Sequence, residues 1–222
     1  MNEGSIMSSK AEGSTQQQSV QGQACGTSRI VGCRFSLYPM SNHFVDIIMD
    51  ALSKVDTSKV WSKTDDVSTC IRGRMEHVFD VTKAIFLQAA NSGEHVVLNG
   101  TFSIGCPGDT EGDVFMSEND QRMNEMNSAA IPIQTAAQFA LYPMGTTDYM
   151  KKIYGAVEIA QEHGTFGGGV HYASRLDGDA NRVFTTLEQS FAHTQESVSH
   201  VVMTVNLSCN SPSSRAAGKE EA

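Results

Sequence analysis

The chain has 222 residues and a formal net charge of −9, with 25 Asp and Glu against 16 Lys and Arg. This balance excludes a general affinity for nucleic acid phosphates and is compatible with a neutral or cationic small-molecule ligand. The length suits one large or two small domains, and the apolar fraction of 40% is slightly low for a globular protein because polar tails dilute it.

The first 24 residues are rich in Ser, Gln and Gly and contain no apolar core. They predict a disordered tail rather than a signal peptide or a membrane anchor. No run of about 18 apolar residues occurs in the sequence, so no direct membrane insertion is expected. The five cysteines show no C-x-x-C spacing, which argues against a disulfide framework or a thiolate zinc site and favours a reducing, cytoplasmic location.

The first predicted domain covers residues 25–110 and begins with a strand. Val31, Cys33 and Phe35 alternate with less apolar neighbours at the period of two expected of a half-buried strand, and Pro39 ends it. Residues 44–55 then place apolar side chains at the spacing of one helix face. Two short strands, a second helix around residues 78–86 and a long alternating strand at 96–104 complete the order β-α-β-β-α-β.

The same pattern recurs in residues 135–212, after a linker at 111–134. Residues 37–40 and 141–144 share the tetrapeptide Leu-Tyr-Pro-Met at an offset of 104, and one inserted residue near Gly145 changes the offset to 105. The sequence therefore predicts an α+β fold made of two tandem ferredoxin-like (βαββαβ) repeats, each with a four-stranded antiparallel sheet and two helices on one face. Residues 213–222 are predicted to form a second disordered tail.

The sheet face opposite the helices is predicted to be polar, with Arg34, Ser36 and Tyr38 among its side chains. Such a face can meet solvent, pack against another sheet or help to line a ligand pocket. The pattern does not choose between these uses.

Two motifs have a plainer interpretation than their first appearance. Asp177, Asp179, Asn181 and Glu188 have the spacing of a calcium loop, but Arg182 stands where an EF-hand needs Gly. We expect a turn at Asp177 and a helix cap at Asp179 or Asn181 instead. The glycine-rich run at 165–169 lacks the Gly-Lys-Ser/Thr of a phosphate-binding loop and predicts a loop or an irregular sheet edge.

Nothing in the sequence pairs a nucleophile with a base, and there is no Gly-x-Ser-x-Gly motif. His95 and His200 occupy matched strand starts, where a structural hydrogen bond is expected. The protein is therefore predicted not to be an enzyme, with no catalytic residue, no metal site and no cofactor.

Five longer peptides are specific enough to compare with known families, at residues 25–30, 35–40, 56–61, 99–109 and 169–174. They resemble one bacterial family of thiamine-binding proteins, the YkoF family, and the resemblance extends over residues 25–212. The resemblance implies two tandem ferredoxin-like domains, a homodimer, and binding of thiamine or its hydroxymethylpyrimidine precursor at one site per repeat. It further implies binding without turnover, in vitamin salvage or uptake, and an association with a vitamin uptake system.

Candidate ligand-binding residues are chosen by position and chemistry, because hydroxyl, amide and aromatic groups suit an aminopyrimidine. They are Tyr38, Thr69, Asn99, Thr101, Tyr142, Ser174, Thr204 and Asn206. Strand parity places Thr69 and Ser174 toward the helices and Tyr38 on the opposite face, so the two sets are not expected to share one pocket. The alternative function is a small-molecule-sensing regulatory module that acts on a protein partner.

Overall fold

The computed structural model describes residues 30–106 and 119–213. The predicted tail at 1–24, most of the predicted tail at 213–222 and part of the predicted linker lie outside the described residues. The first repeat contains β1 (Val31–Pro39), α1 (Phe44–Ser53), β2 (Trp61–Thr64), β3 (Thr69–Gly73), α2 (Met75–Ala90) and β4 (Val96–Ile104). The second contains β5 (Gln134–Met144), α4 (Tyr149–Glu162), β6 (Phe166–Val170), β7 (Ala173–Asp179), α5 (Ala180–Gln195) and β8 (His200–Cys209), after a short helix α3 (Glu125–Ala129).

The predicted order of elements is present in both halves, but the prediction of a four-stranded sheet in each repeat needs a correction. The eight strands form one antiparallel sheet in the order β2-β3-β1-β4-β8-β5-β7-β6. The last strands of the two repeats, β4 and β8, pair from Val96↔Cys209 to Ile104↔Val201. In two separate sheets, β4 and β8 would each be an exposed edge strand. Here they pair with each other, so their backbone N–H and C=O groups are hydrogen-bonded.

One face of this sheet is covered by helices and the other is open. On β1, Val31, Cys33 and Phe35 are buried and join a single core with the inward residues of β4, β5 and β8. Phe79 of α2 stacks on Phe102 of β4 with ring centroids 4.1 Å apart. Because both helix pairs use the same side, the alternate side chains of all four central strands lie on the open face.

The described part of the predicted linker contains the short helix α3 and contacts the helices α2 and α5. Arg122 pairs with Glu188 of α5, and the Lys83 Nζ of α2 lies 2.9 Å from the Glu125 Oε2 of α3. Asn124 donates to the carboxylate of Asp80. These contacts cover α2, which explains why that helix is buried on nearly all sides.

The structure contradicts the turn expected at Asp177, because Asp177 and Gly178 lie within β7 and pair with Ala136 and Thr135 of β5. The other expectations for the two reinterpreted motifs are confirmed. The Asp179 side chain accepts a hydrogen bond from the Asn181 amide at 3.0 Å and caps the start of α5, as predicted. The glycine-rich run becomes β6, an edge strand whose pairing with β7 is irregular between Phe166 and Gly168. Within the described ranges, no helix has the length and apolarity needed to cross a bilayer.

Candidate functional site

Two concave regions of the described chain contain sequence-predicted site residues. The first, the second-repeat cleft, has a volume of 460 Å³ and is lined by Phe139, Ala140, Leu141, Tyr142, Pro143, Met144, Tyr149, Ile153, Tyr172, Ala173 and Ser174. The second, the central trough, has a volume of 400 Å³ and is lined by Arg34, Phe35, Ser36, Val67, Ser68, Asn99, Gly100, Thr101, Thr204, Val205 and Asn206. Both volumes fall in the range of about 300–1,000 Å³ that is usual for small-molecule sites.

The second-repeat cleft exists because β7 is shorter than the strand it pairs with. The pairing of β5 with β7 stops at Phe139↔Ser174, whereas the pairing of β5 with β8 continues to Met144↔His200. Residues 140–144 of β5 therefore present an edge that β7 does not cover. The start of α4, with Tyr149, and the turn between β6 and β7, with Tyr172, also line the cleft.

The cleft walls are aromatic and apolar, and Ser174 adds one aliphatic hydroxyl group to the three phenols. Tyr142, Tyr149 and Tyr172 contribute rings that are exposed by 48%, 51% and 99%. The Ser174 hydroxyl makes no hydrogen bond within the described part of the chain, so it is available to a ligand. Among the described residues that line the cleft, none carries a charge. The cleft thus suits a flat ring that needs one hydrogen-bonding partner.

The central trough lies on the open face, where the two repeats meet. Asn99 pairs with Asn206 and Thr101 with Thr204 across β4 and β8. By their strand parity these four side chains leave the helix-covered face, and within the described ranges they make no hydrogen bond. Four polar groups related by the internal duplication are therefore available side by side.

One wall of the trough is the turn between β2 and β3, residues 65–68, which we term the hairpin tip. Arg34 Nη1 donates to the Ser68 hydroxyl at 2.8 Å, and the Ser36 hydroxyl donates to the Val67 carbonyl at 3.0 Å. The Arg34 guanidinium also lies 3.6 Å from the Asp65 carboxylate. The hairpin tip of the first repeat is thereby held against the open face.

The Asp65 carboxylate organises the hairpin tip itself. It accepts hydrogen bonds from the backbone amides of Val67 and Ser68, both at 2.9 Å. The Ser68 amide, followed by the Val67 amide and the nearby Arg34 charge, lowers the pKa of Asp65 below its usual range. The ionised carboxylate therefore favours the turn that closes this wall.

The eight predicted site residues divide between the two cavities and the remaining surface. Tyr142 and Ser174 line the cleft; Asn99, Thr101, Thr204 and Asn206 line the trough. Tyr38 and Thr69 line neither, and the Thr69 hydroxyl is already bonded to the Thr64 hydroxyl at 2.9 Å. The candidate residues thus describe two different places and no single pocket.

Strand parity alone does not decide which of these residues share a cavity. The register confirms that Ser174, opposite Phe139, lies on the helix side, and that Tyr142 has the opposite parity. Both nevertheless line the same cleft. The reason is the uncovered edge of β5, since a cavity that wraps around an unpaired strand edge is accessible to side chains of either face.

Tyr149 and Tyr172 are the main lining residues that the sequence analysis did not select. Tyr149 is the first residue of α4, and Tyr172 occupies the β6–β7 turn. Their positions match Phe44 and Val67 at the 105-residue offset. A comparison of the repeats at non-identical positions would have shown these two tyrosines.

A histidine–serine contact on the open face has no catalytic surroundings. His95 Nε2 lies 3.0 Å from the Ser208 Oγ, which confirms the structural hydrogen bond predicted for this histidine. The neighbouring Glu94 carboxylate accepts from Ser41 instead. Both members of the contact lie outside the residues that line the cleft and the trough.

The duplicated fold and both cavities lie within the regions that a known family model matches. The model, described as the YKOF-related family, matches residues 30–109 and 134–214, which are the two repeats. The chain belongs to the YKOF-related family. A relative in the curated proteins, named "Putative HMP/thiamine-binding protein YkoF" from Bacillus subtilis (strain 168), is 59% identical over 189 residues. That alignment covers 85% of this chain and 94% of the relative, so the similarity to this family member includes both repeats.

Proposed function

We propose that this protein binds thiamine or its hydroxymethylpyrimidine precursor and releases it unchanged. The observation that carries the proposal is the second-repeat cleft, which is lined by three tyrosines and by Ser174, whose hydroxyl makes no hydrogen bond within the described residues. The similarity to a relative named for HMP and thiamine binding supports the same ligand class. In the family member and in this chain, the ligand would be a flat heteroaromatic ring.

The chemistry of the cleft matches an aminopyrimidine. A hydroxyl can donate to a ring nitrogen or accept from the exocyclic amino group, so Ser174 serves either edge of the ring. Tyr142 and Tyr149 offer faces and edges for offset stacking. The trough supplies the second site of the proposal, mainly in the first repeat, where the amides of Asn99 and Asn206 provide both donors and acceptors.

Binding without conversion is part of the proposal. Chemistry on thiamine needs a nucleophile, or an acid or base placed against the reacting atom. The described lining of the cleft supplies phenols and one unactivated hydroxyl, and the trough supplies amides, hydroxyls and a guanidinium. A carboxylate or imidazole that would activate Ser174 is not among these lining residues.

The proposal also assigns a setting to the protein. We place it in the cytoplasm, as a homodimer that takes part in vitamin salvage or uptake and associates with a vitamin uptake system. The reducing setting agrees with Cys33 and Cys209, whose thiols are buried and free. Sedimentation equilibrium would give twice the mass of one chain, and a single-chain mass at micromolar concentration would reject the dimer.

Isothermal titration calorimetry tests the binding proposal. We expect thiamine and hydroxymethylpyrimidine each to give heat, with two unequal sites per chain, and mass spectrometry to recover both ligands unchanged. Ala140→Phe fills the cleft and is expected to abolish one of the two sites. Ala136→Phe is the matched control, because this residue lies on the same strand and face but outside both cavities. Absence of heat with either ligand at millimolar concentration would refute the proposal.

A further inference from the structure

The tyrosines of the second-repeat cleft have only a partial counterpart in the first repeat. Tyr142 matches Tyr38, but Tyr149 matches Phe44 and Tyr172 matches Val67. The turn that carries Val67 is also held against the open face, by the bond from Ser36. Three tyrosines therefore line one cavity of the second repeat, and only one of them has a tyrosine at the matched position in the described part of the first repeat.

Tyr172 occupies an unusual position for a large aromatic residue. Its φ is 68°, in the left-handed region that favours glycine, and its side chain is 99% exposed. The ring of His171 is its neighbour, at 6.3 Å between centroids. Because this ring lines the cleft yet buries almost no area on the protein, a ligand in the cleft would give it a surface to pack against.

The two cavities also differ in the charge of their lining, and this difference favours a cation in the cleft. The described lining of the cleft has no charged side chain, whereas Arg34 lines the trough. Asp65 lies 3.6 Å from Arg34 and offsets part of its charge. The whole chain carries a net charge of −9, which favours the approach of a cation. A positive ligand thus meets no fixed repulsion inside the cleft.

We propose that the second-repeat cleft selects flat heteroaromatic ligands that carry a fixed positive charge, held against the faces of Tyr142, Tyr149 and Tyr172. The faces of tyrosine rings attract cations, and the contact strengthens as water is excluded. This inference rests on the proposed function. It assigns thiamine, whose thiazolium ring is cationic, to the cleft in preference to the neutral hydroxymethylpyrimidine.

Calorimetry with two ligand pairs tests the selectivity. The first pair is thiamine against hydroxymethylpyrimidine; the second is an N-benzylthiazolium salt against the corresponding neutral benzylthiazole, neither of which contains a pyrimidine. We expect the cleft to prefer the cation in both pairs. Tyr149→Leu and Tyr172→Leu should each reduce that preference about three- to fivefold, the usual size of a partly exposed cation–π contact.

Matched variants separate the ring face from other effects. Tyr149→Phe and Tyr172→Phe keep the ring and should retain most of the preference for the cation. Tyr154→Leu removes an exposed tyrosine of the same helix α4 that does not line the cleft, and it should leave the preference unchanged. The affinity for the neutral partner of each pair reports any general damage to the cleft.

The outcomes distinguish this inference from the proposed function. If both leucine variants weaken the charged and neutral ligands equally, the selectivity is refuted while vitamin binding stands. If neither thiamine nor hydroxymethylpyrimidine binds, the proposed function fails. The thiazolium and thiazole pair then still decides whether the cleft selects cations, because it needs no pyrimidine recognition. Equal affinity for that pair would overturn the inference.

Discussion

The turns at matched positions of the two repeats differ in what holds them. In the first repeat, Arg34 and Ser36 bond to the hairpin tip and hold it against the open face. In the second, the residues at the matched positions are Gln138 and Ala140, and Ala173 stands in place of Ser68. The same backbone pattern therefore closes over the sheet in one repeat and borders an open cleft in the other.

The hydroxyl groups at the matched positions 69 and 174 also differ in their hydrogen bonds. Thr69 is bonded to Thr64 across β2 and β3, whereas Ser174 faces Gly169 on the neighbouring strand and keeps its hydroxyl available. A bonded hydroxyl offers a ligand less than an unbonded one, because the existing bond must be exchanged. A few small substitutions after duplication are thus enough to give two repeats different binding properties.

The largest expected difference between matched positions concerns the ends of β4 and β8. Gly105 has a φ of 75° and Asn210 a φ of 53°. A Cβ at Gly105 would collide with the Ser199 carbonyl, whereas Asn210 donates to the Glu94 carbonyl at 3.0 Å. Gly105→Ala should lower the free energy of unfolding by about 2–3 kcal/mol, from the strained φ and the collision together.

Urea denaturation measures this change, and Asn210→Gly is the matched comparison. That variant removes hydrogen bonds but relieves the left-handed strain, so we expect a cost of about 1 kcal/mol or less. An equal effect of the two variants would contradict the difference that we infer between the strand ends.

An intermediate effect is expected when the first hairpin tip is given the residues of the second. Arg34→Gln, Ser36→Ala and Ser68→Ala together copy Gln138, Ala140 and Ala173. Two side-chain hydrogen bonds are lost, each worth about 0.5–1 kcal/mol at an exposed position, so amide exchange at Val67 and Ser68 should accelerate about five- to thirtyfold.

Hydrogen exchange followed by NMR gives this rate residue by residue. The amides of β7, whose pairing with β5 does not involve the three substitutions, provide the internal control. An unchanged exchange rate at Val67 would show that the turn itself, and not its hydrogen bonds to β1, holds the hairpin tip against the open face.

The sequence predicts the duplicated elements well because they depend on local periodicity. The alternation in β1 and the identical Leu-Tyr-Pro-Met segments are properties of neighbouring residues, and both strands are present. The pairing of β4 with β8 is different, since either strand has the same pattern at a free edge and in the centre of a sheet. Strand parity alone therefore could not predict a continuous sheet.

The candidate site illustrates the same limit. Parity places Tyr142 and Ser174 on opposite faces, and the register confirms it. Their shared cleft depends on where β7 stops relative to β5, which is a matter of relative strand length in three dimensions. Nothing in the sequence marks Tyr172 as a site residue, and its place in the cleft depends on the position of the β6–β7 turn in three dimensions.

The smallest expected effect is a dependence on pH that only one repeat shows. Hydrogen bonds from the Ser68 and Val67 amides, with the nearby Arg34 charge, lower the pKa of Asp65. A lowered pKa means that the carboxylate stabilises the hairpin tip above the ordinary pKa range of aspartate, and that this contribution is lost as the pH falls through the lowered pKa. Val170 occupies the matched position in the second repeat and does not titrate.

In an NMR titration, the Val67 and Ser68 amide signals should move together below the usual aspartate range, while the Tyr172 amide does not follow them. Asp65→Asn should abolish the transition, because it replaces the titratable carboxyl group by an amide that keeps an acceptor oxygen for the turn. If the two amides instead titrated in the ordinary aspartate range, or still titrated in that variant, the hairpin tip would not depend on Asp65.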